Sequence, residues 1–184
     1  MHASNLGERK LTEPDLDLLP LRQTMAPSGD VGLVFPRQEL LERLSKPDRY
    51  RILVHGAGGG QILAASEFAL AQARVLLQQA YGALVTFGAI SVHTYVDPHT
   101  KRLMAPVMFV RIDAARAHMR ELLEALEARA ARLHEVDAQR GRIVIRAELE
   151  FCRALGLERE FMDVTDGSAH LLSWLLGYEQ ARNS

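Results

Sequence analysis

The chain predicts an α+β protein. Three observations carry this. Residues 142–150 alternate cleanly, with Ile143, Ile145, Ala147 and Leu149 on one face and Arg142, Val144, Arg146 and Glu148 on the other, the pattern of a strand with one covered face. Apolar residues at helical spacing precede and follow it. Strand-type segments close the series at each end, so residues 105–180 read as β-α-β-β-α-β. Two helices on one face of a four-stranded antiparallel sheet make that unit a ferredoxin-like sandwich, preceded by a smaller α/β module over 31–104 and a flexible N-terminal arm over 1–30.

The elements follow in order. Pro14, Pro20, Pro27 and scattered charges mark the arm. Val31–Phe35 is a short strand candidate stopped by Pro36, and Gln38–Leu44 has a turn or two of helix. Tyr50–His55 is a strand, followed by glycines at 56, 58, 59 and 60. Leu63–Tyr81 is a helix with a wide apolar surface, and Gly82 is placed to stop it. Ala83–Val96 is β-type, with Gly88 as a bend or bulge. Asp97–Thr100 is a turn.

In the second unit Val107–Ile112 is a strand and Asp113 an N-cap. Met119, Leu122, Leu123, Leu126, Ala130 and Leu133 give the helix Ala114–Leu133 its apolar stripe. A short returning segment ends at Arg140-Gly141. Phe151–Val164 is a helix made irregular by Gly156. Asp166-Gly167 turns into a last strand, Ala169–Tyr178. The open sheet face is a binding platform or, paired with itself, a homodimer interface.

Composition bounds the partners. With 48% hydrophobic and 24% charged residues in 184, the chain buries an ordinary core without staples. A net charge of -1 gives no global pull toward nucleic acid, so RNA contact needs a local patch. Arg140, Arg142 and Arg146 form one such set, and His99, Lys101 and Arg102 another on the loop after residue 96. Cys152, the only cysteine, excludes an intramolecular disulfide and reads as a small core residue. The polar N-terminus lacks an apolar core of the signal-peptide kind, and no apolar run reaches the ~20 residues of a membrane span. The expectation is a cytoplasmic protein with no membrane contact.

Catalytic patterns are weak. The loop Gly56, Gly58, Gly59 and Gly60 lies between a strand and a helix and suits an anion, but Gln61 occupies the third glycine position of the dinucleotide fingerprint, and no P-loop lysine follows. This loop carries the alternative of a small nucleotide- or phosphate-binding protein. The seven histidines show no metal-ligand spacing. Ser168 and His170 have no orienting partner. Glu148/Glu150 and Glu158/Glu160 read as solvated faces. No metal, no cofactor and no catalysis are expected.

Several stretches carry a resemblance: Met104-Ala105-Pro106-Val107-Met108, Ile145-Arg146-Ala147, Leu155-Gly156-Leu157, Thr165-Asp166-Gly167 and Leu176-Gly177-Tyr178-Glu179. In this order and spacing, residues 106–179 resemble the last domain of elongation factor G and of the tetracycline-resistance ribosomal-protection proteins. Residues 66–100 resemble, more faintly, the middle of that family's fourth domain, whose tip reaches the decoding region of the small ribosomal subunit. The G domain, the β-barrel domain and the long helix before the last domain are missing. The resemblance implies a non-GTPase protein that binds the ribosome or rRNA, with the loop at 97–102 in the place of the tip.

Overall fold

The computed structural model describes residues 17–29, 45–46, 48–55 and 59–182. The strand candidate at 31–35, the turn of helix at 38–44, and Gly56 and Gly58 lie outside them. The described residues form two antiparallel sheets with their helices, an α+β fold.

The first sheet contains β1 (Leu21–Pro27), β2 (Tyr50–Val54), β3 (Gly60–Ala64) and β4 (Val85–Val92), in the order β2-β3-β1-β4. Helix α1 (Glu67–Tyr81) covers it, burying Ala69, Leu70, Ala73 and Leu77. The Ser66 side chain accepts from the Ala69 amide at 3.2 Å, and Gly82, with φ 57°, ends the helix. That left-handed turn is the reason for a glycine there.

Two expectations are corrected here. Residues 21–27, read as part of the flexible arm, are a strand. Its inward face is Leu21, Gln23 and Met25, and the polar middle residue hides the alternation. Gln23 is 4% exposed, and its amide nitrogen donates to Gly88 O at 2.7 Å. Leu63 and Ala64 belong to β3, so the helix starts at Glu67. The first unit is an antiparallel sheet with one helix packed on it. Gly88 does lie at a bulge: Gln23 pairs with Ile90 and Met25 with Phe87.

The second sheet contains β5 (Tyr95–Val96), β6 (Leu103–Ala115), β7 (Arg132–Gln139), β8 (Arg142–Glu150) and β9 (His170–Gln180). Its four long strands pair antiparallel in the order β7-β8-β6-β9, and β5 adds two residues beside the start of β6. Helix α2 (Met119–Ala128) and helices α3 (Phe151–Ala154) and α4 (Leu157–Val164) connect them. Leu122, Leu126, Leu157 and Phe161 close one sheet face over Val110, Ile112, Ile143, Ile145 and Ala147. The β8 alternation and the break at Gly156 (φ 75°) appear as expected.

The α2 boundaries differ. Asp113 is not an N-cap: β6 runs on through Ala115, and a 3-10 turn at Arg116–His118 precedes the helix. The helix stops at Ala128, where Ala130 takes φ 52° and the Ala131 amide bonds back to Leu126 O at 3.0 Å. A non-glycine in that conformation leaves no mark in the sequence. Leu133 therefore stands in β7, half exposed. Arg129, beyond the helix end, donates to Glu160 at 2.6 Å and to Leu155 O at 2.9 Å, tying α2 to the start of α4.

The two units share packing. Met108 and Phe151 join Leu21, Ile52, Ile62 and Leu70 in one core. Glu67 at the start of α1 accepts from the Gly156 amide at 2.9 Å, and the Tyr178 hydroxyl donates to Asp17 O at 2.9 Å. Cys152 is exposed rather than buried, because Phe151 takes the inward position.

Candidate nucleic-acid interface

Among the described residues no helix covers the second face of the β7-β8-β6-β9 sheet. Alternation puts Phe109, Arg111 and Asp113 of β6 on it. Register sets Trp174 beside Phe109 and Leu172 beside Arg111 on β9, and Glu148 and Arg146 beside them on β8. A bulge at His134 in β7 completes the row. Trp174 and Phe109 stack at 4.6 Å and 29°, and Phe109 and His134 at 6.0 Å and 24°. Trp174 is 47% exposed and Leu172 59%. No single residue announces this row. It exists only through the register of four strands, β9, β6, β8 and β7.

The charges beside it are mostly paired. Arg146 binds Glu135, Arg142 binds Asp113, and Arg132 binds Glu148, which also contacts His134 at 2.8 Å. Arg111 stands in the middle of the face, and its side chain has no hydrogen bond or ion pair among the described residues. Burial disfavours the Glu148 carboxylate, but hydrogen bonds and charge from Arg132 and His134 outweigh that and hold its pKa below the usual range.

Both sequence-predicted basic sets border this sheet, at opposite ends. Arg140, Arg142 and Arg146 follow the β7–β8 turn beside the end of β6, where Arg140 has φ 47°. The Arg116 amide bonds to Gly141 O at 2.8 Å, adding an arginine the sequence reading missed. Arg116 and Arg140 have no ion pair among the described residues. His99, Lys101 and Arg102 lie before the other end of β6, and the twelve-step strand separates the ends by about 40 Å. The Asp97 side chain accepts from the amides of His99 (2.7 Å) and Thr100 (3.1 Å), which folds this loop, and Arg102 donates to Gln180 at 2.8 Å.

The glycine loop has a different setting from the one expected. The His55 amide bonds to Gly59 O at 2.8 Å, closing a hairpin between β2 and β3. All of β3 separates it from the α1 N-terminus, so Gly59 and Gly60 lack the helix end that an anion loop uses. Gly59 and Gly60 are described, and Gly60 sits inside the strand. A cavity of about 470 Å³ does adjoin the α1 N-terminus, lined by Ser66, Glu67, Met108, Phe151, Leu157 and Ser173 among others. Its walls come from both units, and no glycine is among them.

Ser168 donates to Thr165 O at 2.7 Å, a turn contact, while His170 begins β9. Glu148 and Glu150 are mostly covered instead of forming a solvated face. Among the described residues no group of three or more metal-ligating side chains gathers, and no helix is long and apolar enough to cross a membrane.

Where the units meet, His93 lies 3.3 Å from Asp17 and packs against Tyr95 and Tyr178. Burial and the nearby Arg22 charge lower its pKa, against the pull of Asp17. The unfolded chain thus binds the proton more readily. Stability is therefore full above the ordinary value of 6.5 and falls as pH drops below it. Urea midpoints between pH 7.5 and 5.5 are expected to decrease, and His93→Gln to flatten that slope. An unchanged slope in the variant assigns the effect elsewhere.

The fold and this face define an α+β protein with one covered and one open sheet surface, the open one aromatic at one end and cationic at the other. A scan against protein-family models finds no match, and a search of curated proteins finds none.

Proposed function

We propose that this is a non-catalytic docking protein, acting in the cytoplasm, that binds ribosomal RNA through the open face of its second sheet. The observation that carries the reading is Arg111: an unpartnered guanidinium at the centre of an open sheet, between an aromatic row and the Arg116/Arg140 end. The β9-β6-β8-β7 order with both helical connections on one side supports the ferredoxin-like assignment, and with it the resemblance of residues 106–179 to the last domain of elongation factor G. The hairpin setting of the glycine loop weakens the phosphate-binding alternative.

Co-sedimentation with 30S, 50S and 70S particles tests this. Arg111→Glu reverses the unpaired charge at the centre of the face and is expected to weaken binding at least about tenfold, the effect of one lost charge-assisted contact. Lys101→Ala/Arg102→Ala, about 30 Å from Arg111 by strand length, is expected to change it less. Three free arginines predict a logarithmic salt slope near about -2. Undiminished binding of Arg111→Glu overturns the assignment of the face.

A second reading rests on β9. Residues 171–178 of this edge strand are uncharged, and Leu172, Trp174 and Leu176 are exposed. Uncharged apolar edges pair readily with other strands, so a homodimer is the competing use of the same surface. Sedimentation velocity over a wide concentration range separates the two: a concentration-independent monomer removes the dimer.

A further inference from the structure

We infer that the open face takes single-stranded RNA, with an unpaired base stacked on the outward side of Trp174. This rests on the docking reading above and specifies its ligand. In the row Trp174–Phe109–His134, Phe109 stacks with each of the other two rings. The outer end of the row is Trp174, because β9 pairs only with β6 among the described strands. A base set there lengthens the stack by one ring. Stacking tolerates any base, since every base has a π-face.

The charges select the same ligand. Arg111 is two residues from Phe109 along β6, about 7 Å, and its neighbour on β9 is Leu172, not an acid. It can reach the backbone of a nucleotide whose base lies on the row. Arg146, beside it on β8, is held by Glu135, so the two guanidiniums do not compete for one carboxylate. Beyond the Arg142–Asp113 pair, Arg116 and Arg140 add positive charge at the turns that end β6 and β7. A duplex offers phosphates to these arginines but keeps its base faces covered, so the aromatic end contributes nothing to its binding. A protein ligand would use the apolar end and leave Arg111 without an anion.

The test is fluorescence anisotropy of a short labelled single-stranded RNA and of the same sequence fully paired, both at low salt. The single strand is expected to bind about tenfold more tightly than the duplex, and Trp174→Ala and Arg111→Ala each to weaken it about tenfold. Trp174→Phe keeps a ring and is expected to retain most of the binding. Far-UV circular dichroism and urea midpoints check that the variants fold. Trp174 is the only tryptophan, so quenching of intrinsic fluorescence on titration with unlabelled RNA reports the stack directly. Equal affinity for duplex and single strand overturns the inference, as does unchanged binding by Trp174→Ala. Single-strand failure while ribosomal particles still bind through Arg111 defeats the stacking inference alone. Failure of both defeats the docking reading as well.

Discussion

Phe161→Ala is expected to destabilise the protein by about 3–5 kcal/mol. Phe161 is 1% exposed and lies in α4 against Leu122, Leu126, Ile143 and Ile145. It is the largest side chain wholly enclosed in the described structure. Truncation removes its transfer free energy and leaves a cavity between helices and sheet that the β-strands cannot close. The effect extends beyond the core. Thr165 donates to Phe161 O at 2.6 Å and accepts from the Ala169 amide at 3.0 Å, so this turn of α4 fixes the entry into β9. Trp174 and Leu172 stand on that strand. Loss of Phe161 is therefore expected to loosen the open face as well as the core. Urea denaturation measures the first effect and Trp174 fluorescence the second. Phe68→Ala is the matched control: Phe68 is 62% exposed, and a change within about 0.5 kcal/mol is expected there.

Gly60→Val is expected to cost about 3 kcal/mol, at the upper end for an overpacked site. A Cβ on Gly60 would stand 2.3 Å from Met25 Cε and 2.5 Å from Leu53 O. The methionine can swing away, but the carbonyl belongs to the β2 backbone and cannot. Gly60 does not take a positive φ, so the demand is for space and not for a special backbone conformation. This separates the two explanations of the glycines. If they hold phosphate, substitution removes ligand binding and leaves stability intact. If they allow close strand packing, the urea midpoint falls and no ligand is involved. The second outcome is expected, and a stable Gly60→Val would contradict it.

Much of the fold was legible because its signals are local. The β8 alternation, the αL break at Gly156 and the stop at Gly82 are each decided by a few residues. Other elements were hidden for identifiable reasons. In β1 the inward position of Gln23 interrupts the apolar alternation. In β3, Ile62, Leu63 and Ala64 are all fully buried, so no period distinguishes strand from helix. The end of α2 depends on Ala130 in a left-handed conformation, which glycine would have announced. In β7 the outward residues Arg132, His134, Glu135 and Asp137 carry no apolar pattern.

The candidate site was legible only in part. Arg142 and Arg146 were correctly placed on one exposed face, because strand period alone decides that. Their partners Asp113 and Glu135 come from neighbouring strands, so their neutralisation could not be read along the chain. Arg111 reads as an ordinary strand arginine until Leu172 and Arg146 are set beside it. The aromatic row needs Phe109, His134 and Trp174 brought together across a bulge in β7.

Hydroxyl-radical footprinting of the free and ribosome-bound protein tests most directly whether the open sheet face is the docking surface. Trp174 and Leu172 on that face, and Met162 and Phe68 elsewhere, are all exposed enough to react when the protein is free. Docking through the open face predicts that bound particles protect Trp174 and Leu172 and leave Met162 and Phe68 at their free rates. Protection of Met162 or Phe68 with Trp174 still reactive would contradict it and place the contact on another side of the molecule.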